Sequence, residues 1–508
     1  MFIKILENFS LNKIPNTLFQ NEEVDNNSTV IESIYKKHHN RKNHNQYFTP
    51  EIVVEKALAF VPMLNVTNII DPAVGYGIFL KVASNKWNNA KLFGIDVDRS
   101  VIQNLKRMKI LNSFHFTDNS LLEETWKNPE IKKIISNGSF DLVVGNPPFS
   151  SWFQRIKEPK VLVNYKLARS NGKLMRGQAI EVLFLELFIR LAKNGGYIVI
   201  VLPDGILSNP QYRYVRKFIL KETEVKHIIN LPRNIFRDTS AKTSVLILEK
   251  KINKRMDYLA NLYDFQKVGI LNNIIEVKSD DLVNRMDYYY YHNLKHNSLN
   301  ELINKGIKFI ALRSFIAYCK TGKTLYGKER EFADKGLRFL HATNITEIGI
   351  NYKKDEKFIN HLSKMNFPNA YAKIEDILFV RVGVGCAGRV AIIDAKKDEG
   401  VATDYIHIFK VEKINPYFLV VYLKTKFGKD SINLLKHGVG TVSINKTDLL
   451  YLPIPIVSKK IQKEIGDRYK EILREYRFNI LNGRDLSICK TMIENLTINL
   501  EMILQGVS

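Results

Sequence analysis

The chain has 508 residues, of which 45% are hydrophobic and 25% are charged, so it is long enough to bury apolar cores in two or three domains. Its 76 Lys and Arg residues against 52 Asp and Glu residues give a formal net charge of +24; this excess favours a polyanionic partner, although a Lys-rich composition drawn from an AT-rich genome would have the same effect. The three cysteines are widely spaced, so we expect no disulfides. The opening stretch has no apolar core of a signal peptide, and no apolar run reaches about 18 residues. We therefore expect a cytoplasmic protein without a membrane span.

Residues 1–45 are polar and end in a basic run, which predicts an N-terminal arm that either contacts phosphate or is simply solvated. From residue 46 to residue 250, short apolar runs alternate with helical periodicity, and this alternation predicts an α/β domain with a doubly wound, largely parallel sheet. Thr49 is expected to cap the first helix, with Pro50 at the first helical position. The predicted helices are 51–60, 78–84 and 180–192, and the predicted strands are 68–71, 91–96, 139–145, 197–202, 226–231 and 244–249.

The α/β alternation ends near residue 252 and is followed by a tyrosine-rich stretch at 285–292. We interpret residues 251–305 as the connection to a second domain. Residues 306–457 contain short strands and turns, which predict a domain of mixed α+β structure. Apolar residues at helical spacing within residues 458–508 predict terminal helices.

A glycine-rich turn, Asp71-Pro-Ala-Val-Gly-Tyr-Gly77, joins the strand 68–71 to the helix 78–84. Glycines at this place let the backbone approach a ligand at the carboxyl edge of the sheet. Asp96 ends the next strand, at the spacing of an acid that accepts hydrogen bonds from ribose hydroxyls. The turn lacks a phosphate-binding Lys-Ser/Thr pair, so the pattern suits a nucleoside without phosphates better than a dinucleotide.

The sequence Asn146-Pro-Pro-Phe149 follows the predicted strand 139–145 directly. An amino group on a base is a weak nucleophile, and both the Asn146 side-chain oxygen and the Pro147 carbonyl can accept its N–H bonds while positive charge develops. The prolines Pro147 and Pro148 hold these acceptors rigidly, and Phe149 offers a face on which an extruded base can stack. This combination predicts catalysis of methyl transfer to an amino nitrogen, without a metal or a covalent nucleophile.

Residues 46–250 resemble the amino-methyltransferases of restriction–modification systems, in which the cofactor motifs precede the catalytic motif. The resemblance implies a Rossmann-like fold, S-adenosylmethionine as cofactor and transfer of its methyl group to adenine N6 of a base flipped out of duplex DNA. It assigns the methionine part of the cofactor to the segment Gln46-Tyr-Phe-Thr-Pro50, the ribose to Asp96, the cofactor's adenine to Asp118 and the flipped base to Phe149 and Phe236. The expected cofactor-binding residues are Phe48, Thr49, Pro50, Asp71, Ala73, Gly75, Gly77, Asp96, Val97, Asp118 and Asn146.

Residues 312–472 resemble one target-recognition unit of a type I specificity subunit, in pieces such as Gly440-Thr-Val-Ser-Ile-Asn-Lys446 and Leu452-Pro-Ile-Pro455. The resemblance implies that the second domain reads a DNA sequence. Lys323, Arg338 and Arg381 are candidates for DNA contacts, more to phosphate than to base edges.

Several alternatives remain open at this point. Cytosine N4 is a second possible target, although Asn146 favours adenine because the cytosine enzymes more often have Ser there. A protein or RNA methyltransferase shares the Asn-Pro-Pro-aromatic motif, and an inert DNA-specificity module would retain only binding. No nuclease-like block is visible, so a cognate restriction endonuclease is expected on a separate chain or not at all, and His38, His39 and His44 lack the partners of a metal site.

Overall fold

The computed structural model of the protein describes residues 49–62, 65–134, 140–150, 155–233, 235–236, 242–252, 257–266, 269, 271–437 and 442–506. These residues form two compact units, which divide between Tyr291 and His292. The predicted N-terminal arm and Phe48 of the predicted cofactor segment lie outside the described residues.

The first unit is built on one large sheet, whose described strands we number in chain order. They are β1 (Asn68–Asp71), β2 (Lys91–Asp96), β3 (Ser113–Thr117), β4 (Phe140–Gly145), β5 (Ala192–Pro203), β6 (Thr223–Asn230), β7 (Thr243–Lys250), β8 (Leu259–Phe265) and β9 (Leu271–Lys278). A short hairpin of Arg169–Ser170 and Lys173–Leu174 stands apart from this sheet.

The strand order of this sheet is β9-β8-β6-β7-β5-β4-β1-β2-β3. Strands β3, β2, β1, β4 and β5 are parallel, and β7 runs antiparallel to its neighbours β5 and β6. The order reverses between β1 and β4, which is the position where open α/β sheets bind ligands beyond the carboxyl ends of their strands. The predicted doubly wound α/β fold is thereby confirmed.

Helices connect the parallel strands, as the apolar periodicity predicts. They are α1 (Glu51–Ala59), α2 (Ile78–Lys86), α3 (Arg99–Arg107), α4 (Glu123–Lys127), α5 (Pro129–Ile134), α6 (Pro159–Leu162), α7 (Ile180–Leu191), α8 (Asp204–Ser208) and α9 (Arg213–Glu222). Helix α7 is buried at every position except Arg190, which explains why its sequence is apolar nearly all round.

Two details of the first unit differ from the sequence-based expectation. Thr49 does not cap α1: Pro50 occupies the N-cap position, and the Thr49 hydroxyl accepts a hydrogen bond from Asn146 instead. The α/β alternation also does not end at residue 252, because β8 and β9 extend the sheet through part of the segment interpreted as a connection. The domain limits proposed from the sequence stay predictions.

The second unit contains small sheets and long helices, which confirms its predicted mixed α+β class. Its described strands are β10 (Phe309–Ala311), β11 (Ile316–Thr321), β12 (Leu337–Leu340), β13 (Phe358–Ile359), β14 (Tyr371–Ala372), β15 (Ile377–Val380), β16 (Val390–Ile392), β17 (Gly400–Ala402), β18 (Ile406–Val411) and β19 (Pro453–Pro455). They form sheets in the orders β11-β18-β15-β16, β13-β12-β17-β14 and β10-β19.

Helix α10 (Tyr288–Lys295) spans the division between the units. The helices that follow are α11 (Leu299–Asn304), α12 (Pro416–Lys424), α13 (Lys426–Leu434), α14 (Lys446–Leu449), α15 (Lys459–Leu481) and α16 (Ser487–Gln505). The apolar residues of α12 and α15 pack in one core with the strand residues Ile377 and Phe409. Within the described part of the chain, none of the helices has the length and apolar character needed to cross a lipid bilayer.

Candidate active site

A cavity of about 240 Å³ lies at the carboxyl ends of β1, β2 and β4. Its wall contains most of the residues that the sequence assigns to the cofactor: Thr49, Asp71, Ala73, Gly75, Asp96, Val97, Asp118 and Asn146. Pro50 and Gly77 are not in the wall, since they take the N-cap positions of α1 and α2. The structure thus brings these residues to one place, and their individual roles stay predictions.

The glycine-rich turn has the backbone that its sequence predicts. Gly75 and Gly77 have φ angles of +49° and +73°, in the left-handed region that favours glycine. A Cβ on Gly77 would overlap a methyl carbon of Leu105, so a larger residue would force that side chain to shift in addition to straining the backbone. Val74 is buried in the core of the first unit and also lines the cavity, as Tyr76 does.

Asp96 and Asp118 stand at the ends of β2 and β3, and hydrogen bonds from nearby groups orient both carboxylates; those of Asp96 include one from the glycine-rich turn. The Asp96 carboxylate accepts hydrogen bonds from the Gly75 N–H at 3.0 Å and from the Asp98 N–H at 2.9 Å. The Asp118 carboxylate accepts from the Asn119 N–H at 2.7 Å and from the Thr125 hydroxyl at 2.9 Å. Both acids are therefore held in fixed orientations at the cavity wall, as ligand-positioning acceptors require.

Asp71 connects the turn to the catalytic segment. Its side chain is 1% exposed and accepts a hydrogen bond from the Ala73 N–H at 3.0 Å. Gly145, which precedes Asn146, comes so close that a Cβ there would lie 2.5 Å from an Asp71 carboxylate oxygen. Burial raises the pKa of Asp71 well above its usual range, and the negative charge of Asp96 raises it further.

Asn146 follows β4 and projects an unsatisfied acceptor at the cavity. Its amide nitrogen donates a hydrogen bond to the Thr49 hydroxyl at 3.1 Å. Its amide oxygen Oδ1 is buried and accepts no hydrogen bond from any described residue. A buried acceptor without a donor costs free energy, so the arrangement is expected where a ligand supplies the donor.

The two aromatic residues assigned to the flipped base are both buried. Phe149 is 3% exposed and Phe236 is 2% exposed, and both pack in the apolar core of the first unit. Phe149 is not among the residues that line the cavity, whereas Asn146, Pro147 and Pro148 are. Stacking on a base therefore requires a side-chain movement, and the stacking roles stay predictions.

Glu181 is a feature of the site that the sequence reasoning missed. It is 4% exposed on α7, and its carboxylate accepts hydrogen bonds from the Ser150 N–H at 2.8 Å and from the Ser150 hydroxyl at 2.7 Å. Burial raises the pKa of Glu181. The same helix adds Ile180 and Phe184 to the cavity wall. The two acids within a helix that is apolar nearly all round are the signal that could have drawn attention to this position.

The candidate DNA contacts of the second unit have different surroundings. Lys323 is exposed, with its ammonium 4.6 Å from the centre of the Phe367 ring. Arg338 pairs with Glu356 at 3.1 Å, and Arg381 donates to the Asp404 carbonyl at 2.9 Å. Arg338 and Arg381 are thus partly engaged within their own unit. Their contacts with DNA stay predictions.

Among the described residues, no group of three or more His, Cys, Asp or Glu side chains is arranged to hold a metal ion.

Comparisons with known proteins agree with the site's geometry. The family model described as N-6 DNA Methylase matches residues 23–298, and the model described as Type I restriction modification DNA specificity domain matches residues 304–483. The type II methyltransferase M.AccI of Acinetobacter calcoaceticus is 22% identical over 91% of this chain and 95% of its own length.

Other relatives match over a smaller part. The methylase subunit of the type I restriction enzyme MpnII of Mycoplasma pneumoniae is 22% identical over 42% of this chain and 42% of its own length. The methyltransferase subunit of a type I restriction–modification system of Streptococcus thermophilus, a solved structure, is 21% identical over 51% of this chain and 57% of its own, with a TM-score of 0.36. The chain thus spans about half the length of these two proteins.

The first family model covers more than half of the chain, and the residues it covers include the glycine-rich turn, Asp96 and Asn146. The chain therefore belongs to the N-6 DNA methylase family, the S-adenosylmethionine-dependent adenine methyltransferases of DNA, and it carries a type I DNA specificity domain.

Proposed function

We propose that this chain recognises a specific sequence in duplex DNA and methylates N6 of one adenine, which it flips into the cavity beside Asn146. The observation that carries the proposal is the buried Oδ1 of Asn146, an acceptor that no described residue satisfies. The exocyclic amine of adenine supplies the N–H donor that this oxygen lacks. Family membership supports adenine N6, and none of the relatives compared supports cytosine N4.

Asn146 and Pro147 act on the amine as fixed acceptors. As the nitrogen becomes tetrahedral and positive, its N–H groups donate to the Asn146 Oδ1 and to the Pro147 carbonyl. Because these dipoles are already oriented before the reaction, they stabilise the developing charge without reorganisation. The hydrogen bond from the Asn146 amide nitrogen to the Thr49 hydroxyl keeps Oδ1 directed at the amine.

The residues of the cavity wall fit S-adenosylmethionine. We assign the ribose hydroxyls to the Asp96 carboxylate, the cofactor's adenine amine to Asp118 and the methionine part to the segment around Thr49. When bound, the cofactor supplies an activated methyl group on its sulfonium, so the chain needs no metal for activation. The glycine-rich turn permits close approach of the backbone to this ligand.

The second unit supplies the sequence reading in this proposal, through the residues that match the specificity domain. Lys323, Arg338 and Arg381 contact DNA there, and a cognate restriction endonuclease, where one exists, is a separate chain. The domain limits that we propose are 46–250 for methyl transfer, 251–305 for the connection, 306–457 for target recognition and 458–508 for the terminal helices.

The test is single-molecule sequencing of DNA from a methylation-free host that expresses the chain, with Asn146→Ala as the control. We expect methyl marks on adenine within one motif, and none in the control. The variant should bind DNA almost as well as the parent, since only the reacting amine loses contacts. Marks that persist with Asn146→Ala would refute the assigned mechanism, and marks on cytosine would refute the assigned base.

A further inference from the structure

A strongly basic segment follows the catalytic residues in the first unit. Residues 155–178 contain seven Lys or Arg residues and one acid, a net charge of +6 within a chain whose total is +24. All seven cationic side chains are exposed: Arg155, Lys157, Lys160, Lys166, Arg169, Lys173 and Arg176. The segment includes α6 and the hairpin of Arg169–Ser170 and Lys173–Leu174.

Buried hydrogen bonds hold the backbone of this segment in one shape. The fully buried Gln178 donates from its amide nitrogen to the Leu167 carbonyl at 2.5 Å and to the Tyr214 hydroxyl at 2.9 Å. Glu186 of α7 accepts from the N–H groups of Lys166 and Leu167, both at 2.8 Å. The exposed charges are therefore displayed on a fixed support.

The tip of the segment is a tight hairpin. Asn171 and Gly172 have φ angles of 49° and 76°, the pair of positive angles that a two-residue hairpin turn of type I′ requires. Within the described residues, no ion pair joins Arg169, Lys173 or Arg176 to a carboxylate, and Arg169 donates only to the Val163 carbonyl, at 3.1 Å. The hairpin thus presents positive charge that the fold itself leaves uncompensated.

The segment is attached to the wall of the cavity. Ile156, near its start, lines the cavity, and its backbone exchanges hydrogen bonds of 2.8 and 2.9 Å with Gln178 at the segment's end. The Tyr165 hydroxyl donates to the carbonyl of Leu121, another residue of the wall, at 3.1 Å. The positive surface therefore adjoins the site that the target base must enter.

We propose that residues 155–178 form a docking surface for the phosphate backbone of duplex DNA beside the target base. This inference rests on the proposed function, since it names the surface that holds the strand while its base is extruded. Extrusion rotates one nucleotide out of the stack, and contacts to the neighbouring phosphates keep the strand in position meanwhile. Arg155, Lys157 and Arg176 lie within two residues of the Ile156–Gln178 pair, and Ile156 lines the cavity, which favours nucleic acid over an acidic protein as the partner.

The experiment compares two sets of substitutions in the full-length chain. The hairpin variant carries Arg169→Gln, Lys173→Gln and Arg176→Gln. The control variant carries Lys106→Gln, Arg107→Gln and Lys109→Gln, which remove the same charge at the end of α3. Helix α3 connects the carboxyl end of β2 to the amino end of the parallel strand β3. These three residues at its end therefore lie at the amino edge of the sheet, opposite the cavity.

Fluorescence anisotropy with a labelled duplex, measured across a range of salt concentrations, gives the affinity and its salt dependence. Each phosphate contact contributes about 0.9 to the magnitude of the slope of log K against log salt concentration. With three charges removed, the slope of the hairpin variant should be smaller in magnitude by about 2–3. Its affinity for the duplex at low salt should be roughly 10- to 100-fold lower. The loss should be equal for specific and nonspecific duplexes. A charge-retaining variant with Arg169→Lys and Arg176→Lys should keep most of the slope.

The outcomes separate this inference from the proposed function. Equal slopes for the hairpin variant, the control variant and the parent would overturn the docking surface while leaving methylation of DNA intact. A hairpin variant that binds duplex DNA as the parent does but has lost affinity for single-stranded RNA would overturn the docking surface for DNA in favour of one for RNA. If the parent binds duplex DNA through the hairpin but leaves no methyl marks, the surface stands and the proposed function fails.

Discussion

The amide nitrogen of Asn146 donates a hydrogen bond to the hydroxyl of Thr49, a residue 97 positions earlier in the chain, at a distance of 3.1 Å. Thr49 is 2% exposed, so water does not compete strongly for this bond. The bond fixes which end of the amide faces the cavity. It leaves Oδ1 as the end available to a ligand, which is the orientation that the proposed chemistry needs.

Substituting Thr49→Val removes the acceptor of this bond and nearly conserves volume. We expect kcat for methylation to fall roughly 10-fold, because a lost buried hydrogen bond is worth about 1–2 kcal/mol and Asn146 loses its fixed orientation. Thr49→Ser retains the hydroxyl and should keep a kcat close to that of the parent. The measurement is kcat at saturating cofactor and DNA, and a parental kcat in the Val variant would refute the orienting role.

Much of the first unit follows from local sequence. The strand Lys91–Asp96 begins and ends where its apolar run predicts, and the glycine-rich turn and Asn146-Pro-Pro-Phe149 lie at strand ends as expected. These features depend on neighbouring residues: apolar runs bounded by turn residues and glycines where φ is positive.

Features that depend on distant partners could not be predicted in this way. The Thr49 hydroxyl binds Asn146 rather than capping α1, and the Glu181 carboxylate binds Ser150, 31 residues away. Strands β8 and β9 were missed because their sequences mix polar residues into outer strands of the sheet. The burial of Phe149 likewise reflects packing that no local pattern encodes.

Glu181 is expected to position the end of the catalytic segment through its two hydrogen bonds to Ser150. In Glu181→Gln one carboxylate oxygen becomes an NH2 group, which can only donate to the Ser150 hydroxyl, so the two bonds to a carboxylate become two weaker bonds to a neutral amide. We predict that kcat falls about 10-fold while the affinity for DNA stays within a factor of about two.

Glu186→Gln is the matched control for Glu181→Gln. It changes the other buried acid of α7, which holds the basic segment through Lys166 and Leu167 rather than the catalytic segment. This variant should weaken DNA binding and leave kcat at saturating DNA nearly unchanged. Identical kinetic profiles in the two variants would mean that both acids serve only the stability of the fold.

The buried carboxyl of Asp71 is expected to reduce the free energy of unfolding at neutral pH. Its pKa is raised well above the ordinary value of 3.8, chiefly by burial. The folded state therefore holds this proton more tightly than the unfolded state, so its contribution to stability is full at low pH and is lost as pH rises through the folded pKa. Asp71→Asn keeps an acceptor for the Ala73 N–H without the charge.

We predict that the free energy of unfolding of Asp71→Asn exceeds that of the parent by more at pH 8 than at pH 4, and that the variant binds S-adenosylmethionine more weakly. Urea denaturation at the two pH values and calorimetric titration of the cofactor measure these effects. A stability difference between variant and parent that is the same at both pH values would contradict the argument from the raised pKa.

Lys424 provides a test of burial in the second unit. It is 5% exposed at the end of α12, and its ammonium donates to the carbonyls of Val390 at 2.7 Å and Glu347 at 2.9 Å. Burial lowers the pKa of Lys424 to about 7 from 10.5. Between these values the unfolded state binds the proton and the folded state does not, so the stability of this unit rises with pH from about 7 upward.

Lys424→Met removes the titrating group and should flatten this rise. The free energy of unfolding of the parent is expected to gain roughly 2 kcal/mol over the variant between pH 7 and pH 9, at up to 1.36 kcal/mol per pH unit. Lys463→Met, at an exposed position of α15, is the control. Its free energy of unfolding should differ from that of the parent by the same amount at every pH. Denaturant titrations of the full chain at pH 7, 8 and 9 measure the three curves. A constant difference between Lys424→Met and the parent would mean that Lys424 keeps its proton when buried, because the two carbonyl oxygens then stabilise the charged form enough to offset its desolvation.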